Sequence, residues 1–371
     1  MKNSRLAAVF TGKELELRSY PLMAPAPDGA RLRLVFSGIC GTDLHILQGR
    51  LPLPAPFIPG HEFVGRIDAL GIRARCDSLG NRLRRGDVAI ACVADPCGRC
   101  FCCRQHETAN CLNFGITNVR DPGHPPHLFG GFAEALHQPV ANLVRVPVGL
   151  NLLAVAAFAC AGPTIVHACG RAGGLRRGEL VIVQGGGPVG LFAAAWAAAH
   201  GCRVGLVGST KNPARMRLAR RLGATKTWSI QHTTPETRAT QIKAWAKSLR
   251  RGDGADVVIE ASGAPAAIPE GLGLLRTLGR YIVPGQYSLS GPVTIQPQLL
   301  TFRALTICGS GQYTIEDIHA YLRFLQANPR LQPKLAACVT HRHRVSRAVQ
   351  AIATAAAGKS IKAVFAGNSE A

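Results

Sequence analysis

Short apolar runs bounded by glycine and proline fill the first 150 residues: RLRLVFS, FVGRIDAL, DVAIACV and NLVRVPV. Aliphatic and β-branched side chains in runs of this length, cut by turn-formers, predict strands. No long amphipathic helix pattern interrupts them. After about Leu152 the texture changes. LVIVQ is followed by FAAAWAAAH, RVGLVG by PARMRLARRL, TKTWSI by ETRATQIKAWAKSLRR and ADVVIE by PAAIPEGLGLL; RYIVPG and ALTICGS close the series. Nearly continuous apolar strands alternating with helices predict a parallel sheet covered on both faces. Asn212–Pro213 reads as a cap and first-turn proline, with Gly223 ending that helix. Beyond Gly311 the pattern predicts helices near 315–326 and 346–358 and a last strand in SIKAVFAG. The expected organisation is an irregular β domain over 1–151, an α/β domain over 152–310 and a C-terminal segment over 311–371.

Composition narrows the class. At 371 residues two cores are the default. Hydrophobic content is 47% with no apolar run near twenty residues, which predicts a globular chain without a membrane span. The opening MKNSRLAAVFTGKELE regains charge at Lys13 and Glu14, which argues against a secretory leader and predicts a cytoplasmic protein. Net charge is +22, from 43 Lys and Arg against 21 Asp and Glu. The arginines are scattered as pairs (84–85, 176–177, 220–221, 250–251) rather than gathered in a stripe, and the last two pairs are expected to close helices. This predicts a solvated basic surface and no nucleic-acid partner.

Gly185-Gly186-Gly187-Pro188-Val189-Gly190 follows LVIVQ directly and opens an alanine-rich helix. In G-x-G-x-x-G the first glycine permits the turn, the second admits a pyrophosphate and the third lets helix and strand pack, while the helix N-terminus supplies amide donors. The segment is a candidate dinucleotide site. An NAD-type site sets Asp or Glu about twenty residues on, but no acidic residue occurs between Leu180 and Pro235. The second strand ends instead in Ser209-Thr210-Lys211, with Arg215 a turn further. Hydroxyls and cations suit a 2′-phosphate, which favours NADP over NAD. Val283, ending the strand of RYIVPG, completes the candidate cofactor set.

Thirteen cysteines in a long chain point to metal ligation and buried thiols rather than disulfides. Cys97, Cys100, Cys103 and Cys111 are spaced C-x2-C-x2-C-x7-C. Four thiolates so arranged predict a closed, structural zinc site, with Cys102 turned away. Cys76, Cys92, Cys169, Cys202, Cys308 and Cys338 show no ligand spacing and read as core.

Three further stretches, GICGTDLH (38–45), PGHE (59–62) and CAGPT (160–164), complete a set that resembles the zinc-containing medium-chain alcohol dehydrogenases in order and over nearly the whole chain. The resemblance implies a GroES-like catalytic domain built from both chain ends, an inserted Rossmann domain, and a homodimer or homotetramer. Carried over motif by motif, Cys40, His61 and Cys160 match the catalytic zinc ligands. Glu62 matches a close carboxylate that exchanges with them, and Asp43 the carboxylate orienting the histidine. Thr42 matches the hydroxyl receiving the substrate proton, His45 the end of the relay, and Thr164 a residue packed on the nicotinamide. Two zinc ions per chain are expected. The implied reaction is hydride transfer between an alcohol, or its aldehyde or ketone, and the cofactor, with the alcohol's proton leaving through Thr42 to His45. The segment 47–57 (LQGRLPLPAPF) is apolar apart from Arg50 and fits an apolar alcohol. The loop 114–130, with His124 and His127, is either part of the substrate entrance or a surface excursion. Rival readings are a catalytically silent cofactor-binding protein and a zinc-ribbon nucleic-acid binder.

Overall fold

The computed structural model describes residues 4–286 and 288–368; Met1, Lys2 and Asn3 of the opening run lie outside the described residues. The chain divides into two compact units, one formed by Met1–Cys160 with Thr314–Ala371, the other by Ala161–Tyr313.

The first unit is built on a seven-stranded sheet. Its path runs Val339–His343, Lys362–Ala366, Gly29–Ile39, Glu62–Leu70, Val88–Ala91 and Leu143–Arg145, with Ala135–Pro139 also paired to Gly29–Ile39. The expected strands are present. An N-terminal hairpin, Ser4–Phe10 with Leu15–Pro21, adds to them. The C-terminal strand is the decisive element for the site. It runs antiparallel to Gly29–Ile39 with Ala363 opposite Ile39, while Glu62 on the other neighbour lies opposite Gly38. Phe132 and Phe365 meet edge to face at 4.8 Å inside this unit's core, an arrangement worth about 1 kcal/mol beyond the area buried.

Two boundaries differ from the sequence reading. Residues 152–160 belong to the first unit, not the second. Asn151 caps the helix Leu152–Ala157, its side chain accepting from the amides of Leu153 and Ala154. Tyr321 donates to the carbonyls of Ala154 and Val155, both at 3.0 Å, and Asn151 N donates to Gln332 Oε1 at 2.8 Å. Long-range polar ties therefore fix the helix to the C-terminal segment, which an alanine-rich sequence does not reveal. The other boundary falls after Tyr313 rather than residue 310.

The second unit holds a six-stranded parallel sheet in the order Lys226–Ser229, Arg203–Gly208, Leu180–Gln184, Ala255–Glu260, Leu275–Val283, Thr306–Gly309. This is the doubly wound order expected of a dinucleotide fold. Leu180, Val181, Ile182 and Val183 are all fully buried, each contributing about 1.5–3 kcal/mol. Prolines open the helices Pro188–Ala199, Pro213–Arg221 and Pro235–Ser248. Arg220 and Arg221 close the second of these as expected. Arg250 and Arg251 do not close the third, which ends at Ser248; Arg251 turns inward to Asp256 instead. Nor is every leftover cysteine in the core, because Cys76 is exposed and Cys308 half-exposed. Among the described residues no helix is long and apolar enough to cross a membrane.

Candidate metal centres and dinucleotide site

Strand Gly29–Ile39 delivers Cys40 to the start of the short helix Gly41–Leu47, and strand Glu62–Leu70 begins just after His61. Asp43, buried in that helix, ties the two ends together. One carboxylate oxygen accepts from Cys40 N at 2.8 Å; the other lies 3.3 Å from Gly60 N and 3.5 Å from His61 Nδ1. With Nδ1 turned to Asp43, Nε2 is the nitrogen left for a metal. One ligand atom each from Cys40, His61, Glu62 and Cys160 falls within 4.8 Å of the others.

The electrostatics of this cluster favour a cation. Cys40 is held well below the ordinary thiol range, first by the Cys160 thiol donating to it and then by His61, against burial. Cys160 is pushed well above that range by the same hydrogen bond and by burial. Burial opposes protonation of His61, yet Asp43 and Cys40 hold it well above its usual value. Two sulfurs, an imidazole and a carboxylate that gather positive charge fit a zinc site with three fixed ligands and an exchangeable fourth position. Thr42 Oγ1 lies 3.6 Å from Cys40 Sγ. His45 is half-buried, its pKa lowered by burial and then by Arg50.

Two residues not expected from sequence shape this centre. Lys362, in the last strand, forms a fully buried ion pair with Glu62 and donates to Ile39 O at 3.2 Å. Gly38 makes room for the pair: a Cβ there would fall 1.8 Å from Glu62 Oε2 and 2.9 Å from Lys362 Cε. Asn118, from the loop 114–130, donates to Gly60 O at 3.2 Å, which supports the turn before His61. In the same loop His124 is exposed, and His127 stacks on Tyr20 at 5.4 Å.

The second cysteine set stands apart. Strands Ala94–Asp95 and Gly115–Ile116 pair antiparallel and close the base of the loop. Cys100 Sγ lies 3.5 Å from Cys103 Sγ and 3.9 Å from Cys111 Sγ. Sulfurs about 2.3 Å from one zinc in a tetrahedron sit about 3.8 Å apart, so the spacing fits. Backbone amides already point at the sulfurs, Cys97 N to Cys111 Sγ at 3.2 Å and Leu112 N to Cys100 Sγ at 3.4 Å. Hydrogen bonding to the backbone of Arg99, then to Asn113, brings Cys97 down to about 6, while burial pushes Cys103 up to about 12. The four sulfurs could together hold one ion, which would leave no place for substrate. Cys102 lies outside the set.

In the second unit the glycine loop has the geometry its spacing demands. Gly185 adopts φ +115. A Cβ on Gly190 would fall 2.0 Å from Gly185 O, whereas Gly187 faces open space, as backbone approaching a pyrophosphate must. Pro188 and Val189 begin the helix Pro188–Ala199. Thr210 is fixed by Ser229 Oγ at 2.8 Å and by Gln231, whose Oε1 accepts from Thr210 N at 2.7 Å. Ser209 Oγ accepts from Lys211 N at 3.2 Å. Arg215 packs with its Cβ 3.6 Å from where a Cβ on Gly186 would lie, and burial lowers its pKa. Val283 ends its strand, and Thr164 is buried in the helix Ala161–Arg171.

A sheet of dinucleotide-binding order, together with two clusters of side chains able to hold a metal, is the set of features of a zinc-type dehydrogenase. Comparison with known proteins agrees. Residues 26–148 match the alcohol dehydrogenase GroES-like domain and residues 188–327 the zinc-binding dehydrogenase family. The chain is 34% identical over 98% of its length, and 99% of the relative's, to 5-exo-hydroxycamphor dehydrogenase of Pseudomonas putida. An alcohol dehydrogenase structure from Thermotoga maritima matches with TM-score 0.90 and 26% identity, covering 98% of this chain and 100% of that one. A zinc-binding dehydrogenase from Sinorhizobium meliloti, bound to NADP, shares the fold with TM-score 0.83 at 24% identity, over 98% and 99% of the two chains. The chain belongs to the zinc-binding alcohol dehydrogenases of the medium-chain family, and is a zinc-type, NAD(P)-dependent dehydrogenase.

Proposed function

We propose that this dehydrogenase oxidises apolar secondary alcohols, or reduces the matching ketones, with NADP as preferred cofactor and two zinc ions per chain. The observation that carries the reading is the convergence of Cys40, His61 and Cys160 from three distant segments, with Glu62 beside them. When bound there, zinc supplies a Lewis acid, and a bound nicotinamide supplies the hydride acceptor. The chain's own residues do the rest. Asp43 fixes the imidazole and the Cys40 amide in one arrangement. Thr42 Oγ1, beside Cys40 Sγ, takes the proton leaving the alcohol, and His45, whose pKa is lowered by burial and then by Arg50, carries it on.

The substrate class rests on the segment 47–57. Leu47, Leu51 and Leu53 pack with Phe10, Ile46, Phe57 and Val119 into an apolar cluster, and Arg50 is exposed. Apolar side chains in this segment suit a hydrocarbon better than a polyol or an amino acid, and the Pseudomonas relative is named 5-exo-hydroxycamphor dehydrogenase.

The cofactor assignment rests on side chains, since fold neighbours carry either dinucleotide, NADP in one and NADH in another. Ser209, Thr210, Lys211 and Arg215 offer donors and positive charge where an NAD site sets a carboxylate. Self-association is supported by the sheet edge: Thr306–Gly309 is the last strand, with Ile307 44% and neighbouring Phe302 83% exposed. The reduced thiols that both centres need accord with a cytoplasmic site of action.

The test is a panel of secondary alcohols, polyols and amino alcohols assayed with each cofactor on metal-quantified protein. Cys40→Ser should abolish turnover with the fold retained. Full activity in that variant, or a clear preference for NAD or for polyols, would overturn the corresponding part.

A further inference from the structure

The glycine loop lies at the edge of the parallel sheet where strands end. The opposite edge, where they begin, carries a second concentration of charge. Overall the second unit has eighteen Lys and Arg against six Asp and Glu. At that opposite edge a cleft of about 410 Å³ is lined by Arg250, Arg251, Asp253, Arg276, Thr277 and Leu278.

Its floor is a fixed charge array. Asp256, 2% exposed at the start of strand Ala255–Glu260, accepts from Arg251 Nε at 2.8 Å, Arg251 Nη2 at 2.5 Å, Arg276 Nε at 2.7 Å and Leu180 N at 2.7 Å. Both carboxylate oxygens are thereby saturated, and one negative charge is shared between two guanidiniums. Arg276 Nη1 also donates to Thr277 O at 2.5 Å. A guanidinium has five N–H directions, so each of these arginines keeps donors beyond those bonds while its orientation is set. Arg250 adds a third cation, exposed and in a left-handed conformation at φ +57. Against these three stand only Asp253 and Asp256 among the lining and floor residues, leaving the cleft positive.

We propose that this cleft is a second anion site, separate from the dinucleotide phosphates and built for a phosphate-type dianion. Planar guanidiniums held in place match tetrahedral oxyanions through paired charge-assisted hydrogen bonds. Separation follows from the topology. Strand Ala255–Glu260 begins at the cleft, and the residue after its end, Ala261, has its carbonyl 2.6 Å from where a Cβ on Gly185 would lie. Six strand residues span about 20 Å, too far for one phosphate to serve both.

The experiment is isothermal titration of inorganic phosphate into the full-length, zinc-loaded enzyme already saturated with NADP. Saturable binding is expected, with chloride failing to compete and sulfate competing. Arg250→Asn keeps a residue that tolerates positive φ and should weaken binding about fivefold or more. Asp253→Asn removes a facing negative charge and should tighten it about two- to fivefold, both effects shrinking as salt rises. Arg276→Lys keeps the charge but loses the fork, and should also weaken binding. Absence of saturable heat, loss of binding once cofactor is saturating, or equal affinities in Arg250→Asn and Asp253→Asn would each overturn the assignment.

Discussion

Replacing Lys362 with methionine isolates the buried ion pair beside the proposed catalytic metal. Methionine keeps the unbranched stem, so little packing is lost. The charge lost is large in effect, because Lys362 and Glu62 have side chains 1% and 0% exposed. Burial drives Glu62 up to about 7 even with Lys362 opposing it. Two unit charges about 3 Å apart at an effective dielectric of about 20 attract by about 5 kcal/mol. Removing one partner of such a pair typically costs about 3–5 kcal/mol, whereas replacing both with apolar groups is close to neutral. All three tryptophans, Trp196, Trp228 and Trp245, lie in the second unit, so fluorescence would report on the wrong half. Amide exchange along Gly29–Ile39 and Lys362–Ala366 reads the right one. Lys362→Met should speed global exchange there by about two to four powers of ten. Glu62→Met combined with Lys362→Met should recover most of that loss. If the double variant exchanges as fast as the two single effects added together, the pair is not coupled and the reasoning is wrong.

Cys100→Ser should lower zinc content by about one ion per chain and loosen the loop 96–111, with the metal at Cys40, His61 and Cys160 retained; elemental analysis distinguishes this from loss of both. His137 has both ring nitrogens buried without a hydrogen-bond partner among the described residues, and burial, then Arg31 and His127, bring it down from 6.5 to about 4. The unfolded chain takes up that proton at higher pH than the folded one, so stability complete above about 6.5 should fall by of order 3 kcal/mol as pH drops towards 4. His137→Leu should flatten the slope, and an unchanged acid-denaturation profile would count against it. Lys211→Ala with Arg215→Ala should reduce kcat/KM for NADP about 10- to 100-fold with little change for NAD. Ile307→Lys at the exposed sheet edge should shift sedimentation towards monomer without altering the glycine loop.

How much of this could be read without coordinates depends on how local each feature is. LVIVQ, RVGLVG and ADVVIE are covered on both faces, so their apolar runs state both element type and fold class. The helix Gly41–Leu47 is two turns long, too short for a periodicity to register. Residues 152–160 carry no polar pattern at all, and their assignment follows from Tyr321 and Gln332, more than 160 positions away. The arginines divide the same way. Arg238, Arg251, Arg276 and Arg280 neutralise Glu270, Asp256 and Glu179 rather than simply coating the surface, and three of the four reach partners 20 or more residues distant. Lys362 is the sharpest case. As the first residue of KAVFA it looks like a strand terminus, and only the register that sets it near Gly38 and Glu62 shows otherwise. The available signal was chemical: a glutamate between a candidate metal ligand, His61, and an apolar strand needs a buried cation from somewhere.

The two centres also differ in how they must be assembled. The loop cluster draws its sulfurs from fifteen consecutive positions, closed by the short pair Ala94–Asp95 and Gly115–Ile116. Little chain entropy separates those thiols, so metal can organise them before the rest of the unit forms. The other centre needs Cys40, His61 and Cys160 together, and its counter-charge comes from Lys362, 323 positions from the Ile39 carbonyl it binds. Such long closures are made late, after the sheet has formed. With zinc limiting during refolding, the loop 96–111 should therefore fill first, and turnover should appear only after zinc exceeds one equivalent. Activity rising in proportion from the first increment of zinc would place the catalytic ligands ahead of the loop and refute this order of assembly.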